Sequence, residues 1–206
     1  MKLFLASEIK NPKTIKKLED YVGGFKGKSI AYIPTAANGE GWHSWKGGGT
    51  WNTFQSLGAK ITVIQLEEYQ DKDPADELMD KDIIFFAGGY TGYLLYWMRR
   101  TQLNKKIKDI LNNGSLYVGS SAGSMVTGKD IEFCEWYIGE NEAGAACIPG
   151  LGLVDFNFYP HYKDDLFDEI KEKFKGNKIY LVKDGDALII EDEKIEVFGE
   201  EKLIIK

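Results

Sequence analysis

The stretch Ser115-Leu116-Tyr117-Val118-Gly119-Ser120-Ser121-Ala122-Gly123 decides the fold. It opens as a short apolar run of strand composition and closes on Gly119 to Gly123, a match to G-x-S-x-G. In that arrangement a strand ends in a strained turn that lifts a serine hydroxyl above the sheet edge, and a helix begins beneath it. Glycines flank the serine because a β-carbon there would meet neighbouring backbone. Ser121 is thus the candidate nucleophile, with the N–H groups of the following helix turned toward a developing oxyanion. The same small residues also fit a plain strand–helix turn, so the rest of the chain must supply the context.

Outward from this turn, β-branched and aromatic runs alternate with helical patterns. Lys2 to Ala6, Ser29 to Ile33, Lys60 to Leu66, Asp82 to Ala87 and Ser115 to Gly119 read as strands. They are continuous rather than alternating, the signature of a parallel sheet covered on both faces. Ile15, Leu18 and Val22 form one amphipathic stripe, and Leu103, Ile107, Ile110 and Leu111 form another. Such alternation implies right-handed βαβ units in one doubly wound, mostly parallel sheet flanked by helices. After a further strand over Leu153 to Phe158 and a helix over Asp164 to Phe174, four short runs read as strands. These are Lys178 to Val182, Ala187 to Glu191, Ile195 to Phe198 and Leu203 to Ile205. Hairpin-like turns join the last of them, which predicts a short antiparallel C-terminal extension of the sheet.

Composition bounds what such a fold can do. The 206 residues suit a single α/β domain over 1–206, and 43% hydrophobic with 28% charged residues is ordinary for a globular chain. A net charge of −6, with basic residues interleaved among acids, argues against a nucleic-acid partner. No run approaches the roughly 20 apolar residues of a membrane span, and the opening MKLFLASEIK reads as a strand rather than a leader. Cys134 and Cys147 lack CxxC partners, so no metal site is expected, and the reading favours a reduced, cytoplasmic setting.

A second glycine turn, Ala87-Gly88-Gly89-Tyr90-Thr91, follows the strand over Asp82 to Ala87. It too falls at a strand's carboxyl end, where open α/β sheets place their sites, and Gly89 N–H is the candidate second oxyanion donor. G-x-G-x-x-G is absent, so no cofactor follows. Two histidines compete for the role of base. His161, in Tyr159-Pro160-His161-Tyr162 at a strand end, is preferred over His43. The Gly-rich segment Ala36 to Gly49 carries Trp42, His43 and Trp45 and reads as a loop over the site, with a local packing flap as the plainer alternative. Tyr90, Thr91, Trp42 and His43 are the candidate substrate contacts. Chain order Ser, acid, His would put the orienting carboxylate between 121 and 161, among Asp130, Glu132, Glu135, Glu140, Glu142 and Asp155.

Taken together, GGYTGYLLYWMRRTQL, GSSAGSMVTGKDI and GLGLVDFNFYPHY, with IPTAA near the start and KDGDALII near the end, resemble the dipeptidase E (aspartyl dipeptidase) family of serine peptidases. The resemblance spans most of the chain. It implies a class I glutamine amidotransferase-like fold, Ser121 as nucleophile, His161 as base, and the N–H groups of Gly89 and Ala122 as oxyanion donors. The family's acid would fall at Trp136, which makes Glu135 the nearest carboxylate, with Glu132 and Asp130 in reserve. Two departures stand out. Tyr90 replaces the asparagine usual after the two glycines, and no Arg occurs after Arg100, so the segment that reads an N-terminal aspartate has no counterpart.

The expectation is a cofactor-free serine peptidase acting on small peptides. A hydrolase of another amide or ester and a non-catalytic binding domain are the alternatives. A homodimer rests on family habit alone.

Overall fold

A computed structural model of the chain describes residues 1–69, 72–135 and 149–206. Five parallel strands build the centre of the main sheet: β1 (Lys2–Ala6), β2 (Ser29–Ile33), β3 (Lys60–Val63), β4 (Ile83–Phe86) and β5 (Leu116–Ser120). β6 (Asn157–Tyr159) and β7 (Lys178–Leu181) belong to a second sheet. β8 (Ala187–Glu191) and β9 (Lys194–Phe198) return to the first, and β10 (Leu203–Ile205) to the second. The main order is β3-β2-β4-β5-β1-β8-β9, with β8 antiparallel to β1 and to β9. The small sheet runs β10-β7-β6, with β6 and β7 parallel and β10 antiparallel. The expected antiparallel extension is therefore present, divided between the two sheets.

Why the strands read as continuous apolar runs is visible in the core. Leu3, Leu5, Ala31, Ile33, Ile84, Phe86 and Tyr117 face one buried layer, while Phe4, Ala6, Ile30, Tyr32, Ile83, Phe85 and Val118 face the other. Helices cover both. On the first side lie α5 (Thr91–Arg100), α6 (Leu103–Asn112) and α7 (Ala122–Met125). On the second lie α1 (Pro12–Val22) and α3 (Gly49–Ser56). Three short helices, α2 (Thr35–Glu40), α4 (Ala75–Leu78) and α8 (Phe167–Lys173), complete the set. All four residues of the 103–111 stripe are buried.

Local chemistry fixes the ends of these helices. Asn11 caps α1 by accepting from Lys13 N–H at 3.0 Å, and Pro12 supplies a pre-set first turn. At the other end Gly23 takes φ 72°, and the N–H of Gly24 returns to Glu19 O at 2.8 Å.

Two stretches differ from the sequence reading. The Ala36 to Gly49 segment is largely folded, as α2, a 3-10 turn over Ser44–Gly47 and the start of α3. Its aromatic residues pack there: Trp45 lies against Tyr32 and Trp51 with ring centroids 5.6 and 4.9 Å apart. The strand expected over Leu153 to Phe158 shortens to Asn157–Tyr159. Before it, the N–H groups of Leu151, Gly152 and Leu153 pair with the carbonyls of Val126, Gly128 and Thr127, all at 2.8 Å. Backbone already satisfied at the end of α7 has no need of a ladder.

Candidate active site

Four strand ends converge on one place. β5 delivers Ser121, β4 delivers Gly88 and Gly89, β1 delivers Ser7, and β6 delivers His161. All are carboxyl ends, as the fold class requires. The cavity they share has a volume of about 450 Å³ and is lined by Ser121, His161, Gly88, Gly89, Tyr32 and Trp45 among others.

Ser121 sits between β5 and α7 with φ 49° and ψ −112°, a conformation that costs a non-glycine residue on the order of 1–3 kcal/mol. The surroundings hold it there. Ser121 N–H donates to Ala6 O at 3.0 Å, extending the β1 pairing past the strand. Its carbonyl accepts from Ser124 and Met125 N–H at 2.8 and 2.9 Å, closing the first turn of α7. From the strand below, Tyr117 OH donates to Gly123 O at 2.6 Å. Full burial pushes the Tyr117 phenol well above its ordinary range, so it remains a donor. A β-carbon at Gly123 would lie 2.2 Å from Phe86 O, and one at Gly119 would lie 2.6 Å from Gly123 O. The helix can approach the sheet this closely only because both positions are glycine.

Ser121 Oγ stands 3.0 Å from His161 Nε2. The other ring nitrogen, Nδ1, stands 2.6 Å from Asp184 Oδ1. Parallel pairing explains the meeting of imidazole and carboxylate: Tyr159 of β6 is in register with Leu181 of β7, and both segments run on past that end into turns. His161 and Asp184 therefore emerge side by side. Both side chains are partly exposed, at 37% and 47%, and a solvated pair of this kind adds about 0–1 kcal/mol to stability. Its consequence is orientation of the imidazole rather than support of the fold.

Asp184 falls in the turn between β7 and β8, after His161 in the chain, whereas the expected carboxylate lay between 121 and 161. Nothing local in Asp184-Gly185-Asp186 distinguishes it; only the β6–β7 pairing does. Among the earlier candidates, Asp130 accepts from Asn157 Nδ2 at 2.9 Å and from Glu132 N–H at 3.2 Å, away from the imidazole. Glu135 ends the 3-10 turn Glu132–Glu135, and its side chain lies outside the described residues, as do Glu140 and Glu142.

The second glycine turn lies against Ser121. Gly89 has φ 130°, and a β-carbon there would stand 2.3 Å from Ala36 C and O. Tyr90 N–H donates to Ala36 O at 3.0 Å, so α2 fixes the turn. Ala122 is the first residue of α7, where an N–H has no acceptor within its helix.

The four expected substrate contacts do not line the cavity. Thr91 is fully buried, with Oγ1 3.6 Å from Met125 Sδ, so it faces the core. Tyr90 is 40% exposed and packs over Gly39 outside the cavity lining. Trp42 and His43 stack on each other at 4.8 Å; neither lines the cavity, whereas their neighbours Ser44 and Trp45 do.

Known proteins resemble the chain over most of its length. The sequence model of Peptidase family S51 matches residues 3–198. An uncharacterized peptidase of Listeria monocytogenes is 28% identical over 94% of this chain and 96% of its own length. Peptidase E of Actinobacillus pleuropneumoniae is 25% identical over 93% of this chain and 83% of its own. A crystal structure from Listeria monocytogenes, provisionally assigned as a peptidase E, superposes with a TM-score of 0.80 at 23% identity, covering 95% of this chain and 96% of that one. Fold and family define a serine-type peptidase. The chain belongs to Peptidase family S51, in line with the motif resemblance to dipeptidase E.

Proposed function

We propose that the chain cleaves short peptides through an acyl-enzyme on Ser121, with His161 as general base and Asp184 as the carboxylate that orients it. The observation carrying this reading is the continuous contact from Ser121 Oγ to His161 Nε2 at 3.0 Å and from His161 Nδ1 to Asp184 Oδ1 at 2.6 Å. With Nδ1–H donated to the carboxylate, Nε2 keeps its lone pair toward the hydroxyl, the tautomer a general base needs.

In the first half-reaction Oγ attacks the scissile carbonyl as Nε2 takes its proton. The carbonyl oxygen becomes an oxyanion, for which Gly89 and Ala122 N–H are the proposed donors. Collapse breaks the C–N bond, and the imidazolium returns its proton to the leaving amine. A water then attacks the Ser121 ester, again losing a proton to Nε2; collapse breaks the C–Oγ bond, Nε2 returns that proton to Oγ, and the acid and the free serine are released. Asp184 stays ionised throughout and stabilises the imidazolium.

Short substrates are favoured by size. About 450 Å³ falls in the lower half of the range of small-ligand sites, and the bulk of Tyr32 and Trp45 bounds it on one side.

Fluorophosphonate labelling read by intact mass tests the machinery. A single adduct on the wild type, absent from Ser121→Ala and strongly reduced in His161→Ala, supports it, and di- to hexapeptide libraries read by mass spectrometry then give the length limit. No adduct on folded wild type would sink the acyl-enzyme reading. An adduct without peptide cleavage would move the substrate to another amide or ester.

A further inference from the structure

Ser7 directly follows β1 and is completely buried, and its hydroxyl has two partners. His161 N–H donates to Ser7 Oγ at 2.7 Å, and Ser7 Oγ donates to Asp184 Oδ1 at 2.8 Å. The directions are forced. A backbone N–H can only donate, and an ionised carboxylate can only accept, so the single hydroxyl proton must point to Asp184. That same Oδ1 also receives His161 Nδ1 at 2.6 Å. Ser7 thus ties the main chain of the base to the side chain of the acid, closing a ring around the imidazole.

This ring answers a local problem. His161 has φ 54°, a left-handed conformation uncommon for a residue bearing a β-carbon, and it follows Pro160 in a turn without a capping glycine. Asp184 for its part lies in a turn before β8 with its side chain half exposed. Neither residue is fixed by its own element. β1, at the centre of the sheet between β5 and β8, is fixed, and Ser7 N–H is itself paired with Asp186 O at 3.3 Å.

We propose that Ser7 is a positioning residue, which sets the distance and angle between His161 and Asp184 and so holds the imidazole as its Nδ1–H tautomer. The proposal rests on the Ser121–His161–Asp184 reading of the site. The Ser7 hydroxyl contacts Asp184 Oδ1 and His161 N–H rather than Ser121 Oγ or His161 Nε2, and it acts through the two residues it joins.

The ring ¹⁵N shifts of histidine test it without any substrate, at a pH where the imidazole is neutral. With only two histidines, His161→Ala assigns the signals. Wild type is expected to show the Nδ1–H tautomer at His161. In Ser7→Ala the same ring becomes a mixture of tautomers, and Ser7→Thr, which keeps the hydroxyl, restores the wild-type shifts. The fluorophosphonate acylation rate should fall on the order of tenfold in Ser7→Ala and recover in Ser7→Thr. Ser7→Cys, near in volume but a weak donor, serves if the alanine variant does not fold, and is expected to shift the ring in the same direction. Unchanged His161 shifts in folded Ser7→Ala or Ser7→Cys would overturn the proposal. A wild type with the expected tautomer but no adduct would instead count against the acyl-enzyme reading, so the two failures are separable.

Discussion

Asp184 Oδ1 lies 2.6 Å from His161 Nδ1 although the two residues are 23 positions apart and neither lies in a strand. The contact exists because β6 and β7 run parallel and in register, and both turn at the same end of the small sheet. A carboxylate delivered this way follows the histidine in sequence, and Ser121 comes from a different sheet.

Replacement of that acid is the most direct check. Asp184→Asn keeps the shape but presents an amide to Nδ1, which no longer favours the Nδ1–H tautomer. Turnover is expected to drop by about 10³–10⁴ with the fold intact. Steady-state kinetics beside circular dichroism read this. If Glu135→Gln were the severe variant and Asp184→Asn mild, the acid would lie in the segment after Ser121.

Gly89→Ala should be damaging twice over. Its β-carbon would lie 2.3 Å from the backbone of Ala36 at φ 130°, which is neither backbone geometry for alanine nor free space. A loss of at least about 2 kcal/mol in urea unfolding is expected, together with loss of fluorophosphonate labelling. Wild-type labelling in this variant would remove Gly89 from the oxyanion site.

Charge in the cavity wall predicts a preference. Glu8 is paired with Lys10 at 3.1 Å, whereas Glu40 lines the same cavity with no ion-pair partner among the described residues. A free amino terminus on the substrate is the natural counter-charge. Because Glu40 is exposed, the pair adds only about 0.2–1 kcal/mol, so Glu40→Gln should raise KM severalfold at most for such substrates. N-acetylated substrates should not respond; an equal effect on both would refute the assignment.

At the opposite end of the sheet, Asp82 joins β2 to β4. Its Oδ2 accepts from Ser29 N–H at 2.8 Å and from the Ser29 hydroxyl at 2.7 Å, and these bonds, the backbone one first, hold the carboxyl below its ordinary range. A folded-state value depressed in this way adds stability above the unfolded value, lost as pH falls through the folded one. Asp82→Asn should therefore cost up to about 1 kcal/mol at neutral pH, a difference that shrinks as pH falls below about 4 and vanishes only below the depressed folded-state value. Urea unfolding at both pH values measures the difference.

Much of this molecule was legible in its sequence. The continuous apolar runs at Lys2 to Ala6 and Ser29 to Ile33 coincide with β1 and β2, since burial on both faces leaves no polar position to disguise a strand. Gly119 to Gly123 marked the turn at Ser121, because backbone approach within van der Waals contact demands glycine locally, and local demands are written locally. The Ser121–His161 contact was within reach too, as each residue follows the carboxyl end of a strand. Asp184 and Ser7 were not. One sits in a polar turn and the other at the end of an apolar run, and nothing in either neighbourhood sets it apart. Within the glycine-rich segment the sequence does not say which aromatic residue turns inward: Trp45 packs against Tyr32 and Trp51 and lines the cavity, whereas Trp42 is exposed. Periodicity and glycine spacing, which act over a few residues, determined the strands and the turn at Ser121. The partner of the histidine and the residue bracing it depend on the β6–β7 and β1–β8 pairings, where the residues joined lie 22 and 181 positions apart, and so only the tertiary structure decided them.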